Sequence, residues 1–484
     1  MNFKIMGRFN ALILTIEAAF MVPALLVCLL YRETRPAFAF LLSILLALAA
    51  AGIQMLLSKG ARASFYAREG LVCVGLGWLT LSIFGSFPFF LSGEIPHFID
   101  ALFEIVSGFT TTGASILPDV ERLSRGLLYW RSFSHWLGGM GVLVFLLAIV
   151  PSSGGNTGFT MHILRAESPG PNVGKLVPRM KQTAMILYVL YIFLTILNVV
   201  FLLLGRMPLF DAICTAFGTA GTGGFGIRND SIAGYSPYLQ NVCTVFMLLF
   251  GVNFSCYYLI LLRRFRSLLQ DEELRLYAAT VVFSTALIAW NLRGFYATVG
   301  ETVRHAAFQV ASIITTTGFA TADFDRWPSF SKAILLCLMV IGACAGSTGG
   351  GLKCARALLL FKGLRRNIHQ VLRPQKIQVI RVNEQPIEER VLSNANAYLS
   401  AYVIIIVLSF IVVSLDGFST MTNFSAVLSC FNNIGPGLEA VGPTGNYGGY
   451  SILSKIVLIL DMLAGRLEIF PILVLFSRST WKHR

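Results

Sequence analysis

The chain has few charged residues for its length. Asp, Glu, Lys and Arg make up 13% of its 484 residues, whereas about 25% is usual in soluble domains. Hydrophobic residues make up 55%, and the mean hydropathy is +0.71. Several apolar runs reach about 18 residues or more, the length that a helix needs to cross a bilayer. Composition therefore excludes a soluble globular protein and predicts one that crosses a membrane several times.

The sequence also lacks the motifs of an enzyme or a metal centre. Its nine cysteines form no Cys-x-x-Cys pair, and its six histidines show no metal-binding spacing. No Ser/His/Asp arrangement, His-Glu-x-x-His motif or pair of carboxylates lies within the apolar runs. We therefore expect no catalytic residue and no bound organic cofactor. A membrane-embedded enzyme is kept only as an alternative from another class, and an assembly subunit without a pore is a further one.

The net charge of +14 does not indicate nucleic-acid binding. The basic residues cluster in short stretches between apolar runs, as they do in the cytoplasmic loops of membrane proteins. The stretch 362–381 is strongly basic and is expected to meet anionic membrane lipid or an acidic partner. No nucleic-acid partner is predicted.

Four short segments rich in threonine, glycine or asparagine recur along the chain. In chain order, loops 1 to 4 are Gly108–Ser115 (GFTTTGAS), Gly221–Phe225 (GTGGF), Thr315–Ala320 (TTTGFA) and Asn432–Pro436 (NNIGP). Each loop follows a short apolar segment and precedes a long one. This repetition predicts four copies of one structural unit.

The chemistry of these loops suits a ring around a cation. Glycine permits a positive φ, so the backbone can turn its carbonyl groups to one side. Four converging loops would ring a pore with carbonyl oxygens, which can replace the water shell of a monovalent cation. The short helices before the loops would add partial negative charge from their C-terminal ends.

The predicted fold is an all-α polytopic membrane protein with four pseudo-fourfold repeats around a central pore. Each repeat contains a helix, a short pore helix, a loop and a returning helix. An N-terminal domain of two helices, 1–69, precedes repeats at 70–160, 161–262, 263–392 and 393–484. The returning helices are expected at 127–150, 239–262, 332–360 and 452–476. With about ten crossings, both termini are cytoplasmic and every loop enters from the outer face.

This fourfold order resembles the Trk/Ktr/HKT superfamily of potassium transporters, and the resemblance covers essentially the whole chain. It implies potassium selectivity through backbone carbonyls of the two residues just before each loop glycine, and these residues and the glycine make up the filter. Carried over by position, these filter residues are Thr111, Thr112 and Gly113; Thr222, Gly223 and Gly224; Thr316, Thr317 and Gly318; and Asn433, Ile434 and Gly435. In loop 2, a shift of one residue would make Gly223 the filter glycine instead of Gly224.

Loops 2 and 4 depart from the threonine pattern of loops 1 and 3. These departures imply weaker discrimination against sodium than a ring of four identical loops would have. Potassium is the expected transported ion, and rubidium is expected to permeate as well.

A glycine-rich stretch, 342–351, interrupts the returning helix of the third repeat. Five of its ten residues are glycine, and each glycine costs a helix about 1 kcal/mol relative to alanine. At membrane depth such a break indicates a moving or cavity-lining segment. The resemblance implies an intramembrane gating loop, with Gly346, Gly349, Gly350 and Gly351 as gating residues. The alternative is a tight helix-packing face built from small residues.

Two charged residues within apolar segments are also candidates, because such charges are costly in a membrane. The resemblance places Arg466 in the pore below the filter, where its charge would hinder cation passage. The alternative is a structural ion pair with Asp461 or Glu468. Glu104, one turn before loop 1, is expected either to orient that loop through backbone N–H groups or simply to pack.

The resemblance also implies a cellular setting and partners. It places the chain in the bacterial inner membrane as a homodimer. A separate cytosolic nucleotide-binding subunit of the TrkA type would bind ATP, ADP or NAD and control the pore; this rests on fold analogy. A sodium- or proton-coupled potassium symporter with the same pore is the main alternative function.

Overall fold

The computed structural model describes residues 3–60, 67–139, 141, 180–375 and 378–481. This part of the chain is helical almost throughout. The exception is an antiparallel hairpin of two short strands, β1 (Arg381–Val382) and β2 (Gln385–Pro386). The predicted all-α class is confirmed.

The helices follow the predicted order of two leading helices and four repeats. The leading helices are α1 (Phe3–Leu30) and α2 (Thr34–Leu57), and the first repeat contains α3 (Ala67–Ser92), α4 (Phe98–Phe109) and α5 (Arg125–Gly139). The second contains α6 (Met180–Leu204), α7 (Leu209–Ala220), α8 (Pro237–Phe250) and α9 (Phe254–Leu261). The third contains α10 (Phe265–Leu269), α11 (Glu272–Asn291), α12 (Val299–Ile314), α13 (Ser329–Ile341) and α14 (Cys354–Leu372). The fourth contains α15 (Glu389–Val413), α16 (Thr420–Asn432), α17 (Ile452–Arg466), α18 (Phe470–Phe476) and α19 (Arg478–Trp481).

Six helices in the described ranges are long and apolar enough to cross a membrane: α1, α2, α3, α6, α11 and α15. Many of their large apolar side chains face outward. Leu57 is 73% exposed and Leu204 is 70% exposed. An outer surface of this kind is suited to lipid, because contiguous apolar surface is rare on soluble monomers.

The returning helices differ from the prediction of continuous spans. In the second repeat, α8 and α9 meet at 88°, and Asn253 caps α9 by accepting a hydrogen bond from the Ser255 amide at 2.9 Å. In the fourth, α17 and α18 are separated at Glu468 and Ile469, which both have positive φ. The continuous helices expected over 239–262 and 452–476 are therefore wrong. The expected helix 127–150 begins as α5, and its part beyond Gly139 lies outside the described residues except for Gly141.

Candidate ion pathway

All four short helices, α4, α7, α12 and α16, end in the same backbone turn. One residue in each turn takes the left-handed conformation, with φ of 56°, 53°, 57° and 56° at Thr111, Thr222, Thr316 and Asn433. This conformation costs about 1–2 kcal/mol for residues other than glycine. Its recurrence at four matching positions indicates a geometry that the surrounding structure enforces.

Hydrogen bonds across each turn reinforce the match. The amide of Thr112 donates to the Ser107 carbonyl at 2.8 Å, and that of Thr317 donates to the Ser312 carbonyl at 2.8 Å. The amides of Gly223 and Ile434 make the same bond to Gly218 (2.8 Å) and Ser429 (3.0 Å). These bonds satisfy carbonyl groups at the helix ends, as in the Schellman motif.

Each loop also contains one glycine with positive φ. These glycines are Gly113 (φ 81°), Gly224 (73°), Gly318 (85°) and Gly435 (101°). In loop 2 the left-handed glycine is therefore Gly224, and Gly223 corresponds to Thr112, Thr317 and Ile434. This geometry distinguishes the two alignments that the sequence left open.

The four loops form a closed ring. A side-chain Cβ placed on Gly113 would overlap the carbonyl oxygen of Gly223 in loop 2. Likewise, a Cβ on Gly224 would overlap the carbonyl oxygen of Thr317 in loop 3, and a Cβ on Gly318 would overlap that of Ile434 in loop 4. Gly435 closes the circle, because its Cβ would lie 2.7 Å from the carbonyl oxygen of Thr112 in loop 1. Each glycine is therefore needed for the close approach of the next loop.

In the part of the chain that the structure describes, eight carbonyl groups of this ring have no hydrogen-bond partner. Within the described ranges, no hydrogen bond is donated to the carbonyl oxygens of Thr111, Thr112, Thr222, Gly223, Thr316, Thr317, Asn433 or Ile434. Buried backbone carbonyls are nearly always paired. A ring of unpaired carbonyl oxygens is suited to the coordination of a cation without its water shell.

A buried ion pair between Glu104 and Arg131 supports loop 1. Glu104 was identified from the sequence, but Arg131 was missed. Glu104 Oε2 accepts a hydrogen bond from the Ile116 amide at 3.0 Å, so the expected role of Glu104 in orienting the loop is confirmed. Its Oε1 pairs with Arg131 Nε at 2.6 Å, and the side chains are 0% and 3% exposed. Arg131 Nη1 also donates to the Gly226 carbonyl at 2.8 Å, just beyond loop 2. The charge of Arg131 within an apolar run was the available signal.

Replacing Glu104 with alanine should destabilise the protein by about 3–5 kcal/mol, because Arg131 would remain as a buried charge without its partner. A thermal unfolding scan in detergent measures the effect. Arg122→Ala is the control, since Arg122 pairs with Asp119 on the surface, where its side chain is 86% exposed. A loss no larger than that of the control would contradict the structural role of Glu104.

The glycine-rich segment of the third repeat lies against the ring. Residues 342–353 are not helical, so the alternative of a helix-packing face is wrong. The Gly350 amide donates to Thr316 Oγ1 in loop 3 at 2.7 Å. A Cβ on Gly349 would lie 2.9 Å from the Thr315 carbonyl oxygen, and a Cβ on Gly350 would lie 2.6 Å from that of Asn432. The segment thus contacts loops 3 and 4 directly.

Glu273, at the start of α11, holds both sides of this segment. Its Oε1 accepts a hydrogen bond from the Ala345 amide at 2.6 Å and from the Ala355 amide at 3.0 Å. The two donors flank Gly346, Gly349, Gly350 and Gly351. One carboxylate oxygen therefore bridges the two ends of the glycine-rich segment, a contact for which the sequence contains no signal.

Arg466, the last residue of α17, joins three repeats. Its Nη1 donates to the Thr348 carbonyl in the glycine-rich segment at 2.9 Å. Its Nη2 donates to the carbonyls of Gly138 and Gly139 at the end of α5, the latter at 2.8 Å. Asp461 and Glu468, the alternative ion-pair partners for Arg466, interact with other residues. Glu468 binds Lys353 at 3.3 Å and also Arg356, and Asp461 accepts from Ser409 at 2.7 Å.

Acidic side chains lie in the connections that follow loops 1 and 4. A hydrogen bond from Asn229 holds the pKa of Asp119 below its ordinary value, and one from Ser419 does the same for Glu439. Both carboxylates therefore remain charged at neutral pH.

Comparison with known proteins agrees with this architecture. A family model described as "TrkH: Cation transport protein" matches residues 36–482. The chain is 35% identical to the Trk system potassium uptake protein TrkH of Salmonella typhimurium and 35% identical to that of Escherichia coli strain K12, each over 100% of both chains. Its structure superimposes on the crystal structure of the potassium transporter TrkH from Vibrio parahaemolyticus with a TM-score of 0.88 and 31% identity, again over 100% of both chains.

These relatives are named as transport proteins, which indicates a transporter and not an enzyme. Together with the six membrane-length helices, they indicate a multi-pass membrane protein. The chain belongs to the TrkH family of cation transport proteins.

Proposed function

We propose that this chain is the potassium-translocating membrane subunit of a bacterial uptake system. The observation that carries the proposal is the closed ring of four loops with eight carbonyl oxygens that accept no hydrogen bond within the described part of the chain. The filter residues are Thr111, Thr112 and Gly113; Thr222, Gly223 and Gly224; Thr316, Thr317 and Gly318; and Asn433, Ile434 and Gly435. Relatives named as potassium uptake proteins support potassium as the cation.

The ring is composed of four different loops, and this sets the expected selectivity. Loops 1 and 3 present threonine carbonyls, whereas loop 2 presents Thr222 and Gly223, and loop 4 presents Asn433 and Ile434. Rubidium, which resembles potassium in charge and size, should pass, and sodium should be excluded incompletely.

The gate consists of the glycine-rich segment 342–351 and Arg466. The segment lies against loops 3 and 4, and Arg466 ties it to α5 through three carbonyl groups. A cation that leaves the ring on this side meets a positive charge at short range, which raises the barrier to its passage. Movement of the segment would release Arg466 and lower that barrier.

Loss of the Glu273 contacts should increase leakage through the closed pore. In Glu273→Ala the amides of Ala345 and Ala355 lose their shared acceptor, and the segment should open more often. We expect basal rubidium uptake to rise by about tenfold, equivalent to about 1.4 kcal/mol in the closed-to-open equilibrium. Glu272→Ala is the matched control, because the neighbouring Glu272 pairs with Lys362 instead. Equal uptake in the two variants would argue against a role for Glu273 in the gate.

The protein functions in the bacterial inner membrane as a homodimer with both termini in the cytoplasm. A separate cytosolic subunit of the TrkA type, which binds ATP, ADP or NAD, controls the gate. The basic cytoplasmic surface around α14 suits an acidic partner or anionic lipid. In this account the nucleotide response belongs to the partner and not to this chain.

Flux into sealed liposomes tests the function. Purified protein is reconstituted with trapped potassium, and uptake of radioactive rubidium is followed with and without external potassium or sodium. Uptake that potassium inhibits more strongly than sodium supports the proposal. Absence of uptake, with or without the cytosolic subunit, would refute it. A fixed coupling ratio to sodium or protons would favour the symporter over a channel.

A further inference from the structure

Loop 2 lacks a feature that supports loops 1 and 3. Behind loop 1, the hydroxyl groups of Thr110 and Thr112 are hydrogen bonded at 2.8 Å. Behind loop 3, those of Thr315 and Thr317 are hydrogen bonded at 2.7 Å. The corresponding residues of loop 2 are Gly221 and Gly223, which have no side chains. Loop 2 therefore has no hydroxyl pair of this kind behind it.

The glycine at position 223 is not required by its backbone conformation. Positive φ occurs at Thr222 and Gly224 on either side but not at Gly223. The requirement is one of space. A Cβ on Gly223 would overlap the imidazole ring of His135, including its Cδ2 atom at 2.6 Å. The ring of His135 thus occupies the volume into which a side chain at 223 would project.

His135 is on α5 and lies directly against loop 2. It is fully buried, with 0% exposure. Its ring stacks on Phe225, the residue after the loop 2 glycine, at a centroid distance of 4.2 Å and an interplanar angle of 19°. Arg131, one turn earlier on α5, contacts the same Phe225 ring, with its Cζ 3.5 Å from the centroid. One face of α5 therefore holds loop 2 through both residues.

We propose that His135 is a positioning residue that sets cation selectivity by fixing the carbonyl groups of Thr222 and Gly223. Its imidazole replaces the threonine side chains that support loops 1 and 3. The inference rests on the proposed function, because the residue can affect selectivity only if the ring coordinates cations. His135 and Gly223 are then a complementary pair, in which the bulk of one requires the absence of a side chain in the other.

A double-mutant cycle tests this pairing. Gly223→Ala, His135→Ala and the double variant are reconstituted in liposomes, and the concentrations of potassium and sodium that halve rubidium uptake are compared. Each single variant should lower the sodium-to-potassium ratio of these concentrations by about tenfold, equivalent to about 1.4 kcal/mol. The double variant should recover most of the loss, because the alanine at 223 fills space that the imidazole has left. Losses that simply add would overturn the proposal.

Two further variants separate selectivity from folding. Phe133→Ala removes an aromatic ring from the same helix as a control. The Phe133 ring packs on Trp136 and Phe217 and not on loop 2. It should lower thermal stability and leave the selectivity ratio unchanged. His135→Phe keeps a planar ring and should retain the ratio of the unmodified protein even if Gly223→Ala does not fold. Equal losses in His135→Phe and His135→Ala would refute the positioning role.

The outcome for the unmodified protein distinguishes the two levels of the proposal. If the unmodified protein shows no selective uptake, the proposed function fails, and the role of His135 in selectivity fails with it. If it is selective and the variants at 135 and 223 leave the ratio unchanged, only the role of His135 fails.

Discussion

Gly318→Ser should reduce rubidium uptake by at least about tenfold. At φ 85° a serine is strained, and its Cβ would overlap the carbonyl oxygen of Ile434 in the next loop. Left-handed strain alone costs about 1–2 kcal/mol, and 1.4 kcal/mol corresponds to a factor of ten. The overlap adds to this cost by displacing a carbonyl group of the ring. Liposome uptake measured at equal protein content gives the effect directly.

A matched control separates backbone strain from the geometry of the ring. Gly294 has φ 82°, close to that of Gly318, but a Cβ on it would have nothing within 4 Å. Gly294→Ser should therefore strain the backbone to a similar degree and leave uptake nearly unchanged. Gly113→Ser should behave like Gly318→Ser, because its Cβ would overlap the carbonyl oxygen of Gly223. Normal uptake in both ring variants would place the cation pathway elsewhere.

Arg466→Ala should increase basal uptake by about tenfold or more, in the direction opposite to the glycine variants. The substitution removes a positive charge and the donors to the Thr348, Gly138 and Gly139 carbonyls. Both changes favour cation passage, the first by electrostatics and the second by freeing the glycine-rich segment. A change of about 1.4 kcal/mol in the barrier corresponds to the factor of ten.

Arg466→Lys refines this experiment, because lysine keeps the charge but lacks the planar fork of the guanidinium. If charge dominates, uptake stays low in the lysine variant; if the carbonyl contacts dominate, uptake rises as in the alanine variant. Arg326→Ala controls for loss of a surface charge, since the Arg326 side chain is 81% exposed. Uptake that falls in Arg466→Ala would contradict the proposed barrier.

The repeated pattern of short segment, loop and long segment was sufficient to predict the fold class and the loops. These features depend on residues that are close in sequence, and adjacent threonine and glycine residues are sufficient to indicate the turn. The choice between Gly223 and Gly224 could not be made in this way, because the two residues are chemically identical and differ only in φ. Their surroundings differ through residues distant in sequence, since His135 lies against Gly223 and the Thr317 carbonyl lies against Gly224.

The breaks in the returning helices were predicted only where the composition is unusual. Five glycines in ten residues mark 342–351 clearly. The break between α8 and α9 falls in an apolar run with a single glycine, and the break between α17 and α18 contains none. Contacts between repeats accompany both breaks, since the Cys344 amide donates to the Gly251 carbonyl at 3.1 Å and Glu468 pairs with Lys353 and Arg356. Tertiary interactions of this kind leave no periodic signal in a single sequence.

The closed ring is built by one chain, and this has a consequence for how selectivity can change. In a pore assembled from four identical chains, every substitution is imposed on all four quarters at once. Here a mutation alters one quarter and leaves the other three intact, so ion preference can be adjusted in small steps. Threonine could be introduced or removed loop by loop, which would make this protein a system for measuring how many equivalent quarters a cation requires.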